Sequence, residues 1–290
     1  MYTEHFGLTE KPFSISPDPR YLYLSQRHAD ALAHLLYGVS ESGGFIQLTG
    51  EVGTGKTTLV RSLLEQLPDN SEIALILNPQ LSTKQFLQAI CHELGVAFVQ
   101  RDTARNLIDR LNDKLLASHA ANRRVVLIVD EAQTLSPDLL EQIRLLTNLE
   151  TNRRKLLQII LIGQPELRET LAQTSMRQIA QRITGRYHLE PLNVADTAVY
   201  VTHRIRVAGG RQGLFSERAI RKLYRLSRGI PRLINVIADR ALLAAYSRDE
   251  YLIGASLVRR AADEVFGRAR GPRWRSRDLP WANGTPTGRR

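Results

Sequence analysis

The run Gly50-Glu51-Val52-Gly53-Thr54-Gly55-Lys56-Thr57 sets glycines, a lysine and a hydroxyl at the offsets of a phosphate-binding P-loop. It constrains the fold as firmly as the chemistry. The apolar, β-rich run Phe45-Ile46-Gln47-Leu48-Thr49 precedes it, and a helical run from Thr57 to Leu64 follows. In a strand–loop–helix unit of this kind, backbone N–H groups and the helix dipole converge on an anion. Glycines let the backbone curl around the phosphate without Cβ clashes. Residues Gly50, Glu51, Val52, Gly53, Thr54, Gly55, Lys56, Thr57 and Thr58 are therefore the candidate nucleotide-binding segment. Lys56 is expected to reach the β- and γ-phosphates, and the Thr57 hydroxyl to hold Mg²⁺.

A second run, Arg123-Arg124-Val125-Val126-Leu127-Ile128-Val129-Asp130-Glu131, is apolar until it ends in two carboxylates. Strands buried on both faces of a parallel sheet read this way, without polar alternation. Ligands of open α/β sheets gather at the carboxyl ends of the strands. Asp130 is placed there to share the Mg²⁺ shell, and Glu131 to act as general base on the attacking water.

Further strands are expected at Glu72–Asn78, Leu156–Gly163 and Tyr187–Leu192. Helical patterns lie between them: Lys56–Leu67, Thr83–Leu94, Thr103–Ala120, Pro137–Leu149 and Glu166–Leu171, with an earlier one at Gln26–Val39. Alternation of this kind implies an α/β fold, a parallel sheet sandwiched by helices. Ser136-Pro137 has the form of an N-cap followed by proline at the first helical position. After Leu192 only helices are expected: one capped by Asp196, one capped by Ser216 and ending at Gly229, one from Pro231 to Tyr246, and one over Ala255–Phe266. The expected division is an α/β nucleotide-binding domain over 1–192, a small all-α lid over 193–267, and a basic tail over 268–290.

The chain of 290 residues has a net charge of +11 and one cysteine, Cys91, so an internal disulfide framework is excluded. No apolar run approaches the ~20 residues of a membrane span. The start, Met1-Tyr2-Thr3-Glu4-His5-Phe6, lacks the pattern of a secretory signal, and a cytoplasmic location is expected. Seven arginines, one acid and both tryptophans fall between Arg268 and Arg290, a composition suited to an anionic membrane surface. Arg218, Arg221, Lys222 and Arg225 share one helical face, either solvated or DNA-binding. His28 and His34 belong to no cluster with metal-ligand spacing. Tyr21, Leu22 and Tyr23 either pack near an adenine or anchor the first helix.

The P-loop core followed by a helical lid resembles the AAA+ ATPases. Further runs are similar to the A component of bacterial type II general secretion, the ExeA/GspA family. They are His5-Phe6-Gly7-Leu8 to Pro12-Phe13, Pro17-Asp18-Pro19 with Tyr21-Leu22-Tyr23, Asp130-Glu131-Ala132-Gln133, Leu145–Glu150 and Gly163-Gln164-Pro165-Glu166-Leu167. The resemblance covers about residues 1–267. It implies ATP hydrolysis with Mg²⁺, nucleotide-dependent self-association, and a cytoplasmic domain at the inner-membrane face. It also implies action with an inner-membrane B component to assemble a secretin. A DNA-associated AAA+ ATPase, such as a transposition target-selection or loader protein, is the alternative.

The same resemblance implies the remaining site residues. Gln164, after the fourth strand, takes the place of a polar sensor, with Asn148 a weaker candidate. Arg186, ahead of the fifth strand, takes that of an arginine finger acting on a neighbouring subunit, with Arg182 second. Arg232, in Gly229-Ile230-Pro231-Arg232, takes that of the lid arginine that contacts nucleotide phosphates.

Overall fold

The computed structural model describes residues 2–267 except 17, 41–42 and 151–154. The expected basic tail and both tryptophans therefore lie outside the described residues. In chain order the elements are α1 (Tyr2–His5), α2 (Gln26–Ser40), β1 (Gly44–Gly50), α3 (Lys56–Gln66), β2 (Ser71–Ile76), α4 (Thr83–Glu93), α5 (Ala104–Ala120), β3 (Arg124–Val129), α6 (Pro137–Leu146), β4 (Leu157–Gly163), α7 (Glu166–Ala172), α8 (Arg177–Ala180), β5 (Ile183–Leu189), α9 (Val194–Val207), α10 (Glu217–Ser227), α11 (Pro231–Tyr246) and α12 (Ala255–Val265).

The five strands form one parallel sheet in the order β2-β3-β4-β1-β5. Side chains alternate between its faces, as the two-residue period of a strand requires. Val125, Leu127, Val129, Ile159 and Leu161 face a core made with α4, α5, α6, α7 and α8. Val126, Ile128, Ile160, Ile162, Ile46 and Leu48 face α2 and α3. This order sets the site. β1 delivers the P-loop and β3 delivers Asp130, while β4 runs between them and ends at Gly163. Gln164 thus emerges between the two motifs.

Helices α9–α12 gather around a separate apolar cluster of Tyr200, Ile205, Leu223, Ile234, Ile237, Leu242 and Val258. Tyr2, Phe6, Leu8, Phe13 and Tyr21 belong to this cluster and not to either face of the sheet. The buried Arg204 guanidinium ties the amino-terminal segment down. It donates to the carbonyls of Pro12 and Ser14 and lies 4.6 Å from the centre of the Tyr21 ring. The described residues from 2 to 23 therefore act as a strap from the helical cluster to the rim of the cleft.

Two sequence boundaries need correction. β5 starts at Ile183, not Tyr187, so Arg186 lies within the strand, opposite Gln47 of β1. Gly185 reads as a break, but pairing with β1 overrides that local preference. The cap of α9 is Asn193, whose side chain accepts from the Asp196 N–H; Asp196 itself sits in the first turn. Ser136 and Ser216 cap α6 and α10 as expected.

Gly229 joins the turn between α10 and α11 to the segment that links β5 to α9. Its φ is +75°, and its carbonyl accepts from the Leu192 N–H at 3.0 Å. A Cβ there would stand 1.9 Å from the Leu192 carbonyl oxygen. Backbone cannot yield as a flexible side chain would, so Gly229→Ala is expected to cost roughly 2–4 kcal/mol. A thermal melt checks this: a midpoint within a degree of the parent would contradict the packing described.

Candidate nucleotide site

A cleft of about 380 Å³ lies between the sheet and the helical cluster. P-loop residues 52–58, Glu131 and Gln164 line one side; Arg232, Asn235, Tyr200 and Arg204 line the other. Ser14, Ile15, Tyr21 and Tyr23 close a third edge from the amino-terminal strap. Tyr21 thus lines the cleft and packs with the α9–α12 cluster, not against α2, the first helix that it was expected to anchor.

The loop owes its shape to its glycines. Gly53 and Gly55 have φ of +83° and +103°. A Cβ on Gly53 would fall 2.6 Å from the Arg232 Cβ, and one on Gly55 would fall 3.0 Å from His28 Nε2. His28 is buried and satisfied: its ring nitrogens pair with the Ser25 hydroxyl at 2.7 Å and the Thr54 carbonyl at 3.0 Å. It braces the loop from beneath, a role that depends on a partner 26 residues away and leaves no local sequence signal. Burial holds its imidazole below the usual histidine range.

Lys56 is buried, and its Nζ donates to the carbonyls of Gly50 at 2.7 Å and Glu51 at 3.1 Å. Desolvation lowers its pKa, while the charges of Glu131 and Asp130 work the other way. Thr57 Oγ1 donates to Asp130 Oδ2 at 3.2 Å, and the Glu131 N–H donates to Asp130 Oδ1 at 2.9 Å. Burial raises the Asp130 pKa, countered by those two donors and by Lys56. A hydroxyl and a carboxylate oxygen side by side are hard donors that suit Mg²⁺, which keeps waters and phosphate oxygens in its shell. Among the described residues no cluster of three His, Cys, Asp or Glu forms a protein-only metal cage. The two donors present fit a metal that arrives with a phosphate.

Glu131 has a left-handed backbone, φ +51°, at the end of β3. Such a conformation is costly for a residue with a Cβ and clusters at functional sites. Its Oε2 accepts from Gln164 Nε2 at 3.3 Å. The structure thus brings Lys56, Thr57, Asp130, Glu131 and Gln164 together, with Arg232 across the cleft. The Arg232 N–H also reaches the Gly53 carbonyl at 3.3 Å, joining α11 to the P-loop.

Asn148, Arg182 and Arg186 line no part of this cleft. Asn148 stands past the end of α6, where its Oδ1 accepts from Arg182 at 2.7 Å. Arg182 also donates to Thr147 Oγ1 and the Arg144 carbonyl. Its guanidinium is committed within its own chain. Arg186 is exposed on the edge strand β5 and donates to the Ala180 carbonyl.

Sheet order, P-loop, acidic strand end and helical lid define an AAA+ ATPase domain. A match to the AAA domain family spans residues 39–171, from the end of α2 to α7. Over 267 residues the chain is 56% identical to general secretion pathway protein A of Aeromonas hydrophila. The match takes in 92% of this chain and 49% of the relative, so the chain spans about half the length of the curated relative it matches. In fold it is similar to Cdc6p of Pyrobaculum aerophilum, with a TM-score of 0.68 and 21% identity over 88% of this chain and 70% of that one. It is also similar to the Aeropyrum pernix ORC1 protein in complex with DNA, with a TM-score of 0.63 and 16% identity over 89% and 70% of the two chains. At such identities these two likenesses concern the fold alone.

Proposed function

We propose that this domain hydrolyses ATP with Mg²⁺ as a nucleotide-dependent oligomer, and that the work done is assembly of a bacterial secretion apparatus. The observation that carries the chemistry is the convergence of Lys56, Thr57, Glu131 and Gln164 on one cleft, with Asp130 hydrogen-bonded to Thr57 beside it. The secretion output rests on the relative, which is named for the general secretion pathway.

When bound, ATP supplies the phosphoryl group and Mg²⁺ offsets its charge. The P-loop N–H groups grip the phosphates. Lys56 leaves the Gly50 and Glu51 carbonyls, which hold its ammonium at the mouth of the loop. Thr57 and Asp130 hold the metal. Glu131 orients a water and takes its proton. Gln164 reaches the phosphate end from the β4 tip, and Arg232 follows the phosphates from the lid. Arg186 of a neighbouring subunit completes the site, since its exposure and single hydrogen bond leave it free to extend. An inner-membrane B component is the partner, at the cytoplasmic face, with secretin assembly as the result. Among the described residues no helix is long and apolar enough to cross a membrane.

One observation favours a second reading, a DNA-associated ATPase. Residues 206–228 hold seven basic side chains and one acid, Glu217. Arg218, Arg221, Arg225 and Arg228 are exposed, and within α10 Arg221 pairs with Glu217 at 3.3 Å. ATP turnover with and without duplex DNA, at about 150 mM salt, separates the two because weak phosphate attraction is then screened. Unchanged turnover is expected for the secretion reading; several-fold stimulation would favour the DNA reading.

A further inference from the structure

Gln133 does not line the cleft, yet it holds both groups that face its phosphate end. Its Nε2 donates to Glu131 Oε2 at 2.6 Å, and its Oε1 accepts from the Gln164 backbone N–H at 3.0 Å. Gln164 Nε2 donates to the same Glu131 oxygen at 3.3 Å. Three hydrogen bonds thus close a ring through residues 131, 133 and 164, joining the tips of β3 and β4.

Two backbone features make room for this ring. The left-handed turn at Glu131 brings residue 133 back toward residue 131. The turn is fastened from the other side, because the Glu131 carbonyl accepts from the Thr134 N–H at 2.9 Å and the Thr134 hydroxyl at 2.8 Å. β4 ends in a glycine. A Cβ on Gly163 would stand 2.8 Å from Gln133 Oε1, inside the space the amide fills.

We infer that Gln133 is a positioning residue for the hydrolytic base: it fixes Oε2 of Glu131, leaves Oε1 for the attacking water, and couples that carboxylate to Gln164. This rests on the reading of Glu131 as base. An amide suits the place because one side chain must donate to a carboxylate and accept from a backbone N–H. The terminal torsion of a glutamate is broad, so an unheld carboxylate samples many orientations. A base misplaced by ~1 Å can cost ~100-fold in rate. Because Gln164 shares the oxygen that Gln133 holds, displacement of the β4 tip moves the base as well.

The test measures kcat, KM and nucleotide affinity for Gln133→Ala, Gln133→Glu, Gln164→Ala and the Gln133→Ala/Gln164→Ala double variant, beside Glu131→Gln. Gln133→Ala is expected to lower kcat by about 10-fold or more, with KM and affinity within about two-fold, since a group acting only on the base leaves ground-state binding alone. The double variant is expected to fall little below the worse single, because members of one unit are not additive. Should Gln133→Ala fail to fold, the nearly isosteric Gln133→Glu decides. It keeps the volume, removes the donor, and is expected to lose at least as much kcat. Near-normal kcat in the folded variant, with Glu131→Gln inactive, would overturn the inference and spare the base. Loss of nucleotide affinity equal to the loss of kcat would overturn it too, as a general structural role. Normal turnover by Glu131→Gln would instead remove the base assignment itself.

Discussion

Glu131→Gln is expected to bind ATP within about two-fold of the parent and to lose roughly 100-fold or more of its turnover. The substitution preserves shape and leaves Lys56, Thr57 and Asp130 untouched, so the grip on phosphate remains. What disappears is the carboxylate proposed as the base for the attacking water. The amide also sets a third amide group against those of Gln133 and Gln164, where a carboxylate oxygen now accepts from both. Equilibrium binding of a fluorescent ATP analogue and steady-state phosphate release read the two effects separately. Turnover within a few-fold of the parent would defeat the assignment.

Arg186→Ala is expected to be nearly inactive alone, because a finger supplied from a neighbour is worth ~10³-fold or more. Its own cleft stays complete. A Lys56→Ala subunit has the opposite defect: a dead cleft and an intact Arg186. Mixing the two inactive proteins is expected to restore activity at about a quarter of head-to-tail interfaces, those where a sound cleft meets a sound arginine. Turnover is measured across mixing ratios, with a maximum near equal amounts. No recovery at any ratio would exclude Arg186 as a trans finger. Arg182 is the poorer donor on geometry, since reaching outward would leave the Arg144 carbonyl, Thr147 and Asn148 without their shared donor.

The features legible in the sequence are those set by local chemistry. The P-loop is a spacing of glycines, lysine and hydroxyl. The Asp130-Glu131 pair ends a wholly apolar run. Ser136-Pro137, Ser216 and Pro231 each carry a helix start in a few residues. Features fixed by distant contacts were not legible. β5 begins at Ile183 because β1 pairs with it, although Gly185 reads as a break. The amino-terminal strap packs with helices about 200 residues further along, through Tyr2, Phe6 and Arg204. His28 looks like one more helical histidine until Thr54 is placed above it. Gln133 stands in plain view within Asp130-Glu131-Ala132-Gln133. Its role depends on the left-handed turn at Glu131 and on the β4 tip 31 residues on.

The electrostatics of the cleft describe a site poised for a ligand. Asp130 is buried beside Glu131, which raises its pKa, and Lys56 is buried so that its ammonium is disfavoured. Each burial is costly, and a metal ion and phosphates between them would relieve both.

The most direct test is ATP turnover by the wild-type chain, measured in Mg²⁺ and again with the metal chelated. Turnover that needs Mg²⁺ and is lost in Lys56→Ala is the expected result. Turnover equal in the two conditions, or none at any protein concentration while ATP still binds, would contradict a metal-assisted hydrolytic site built on Thr57, Asp130 and Glu131.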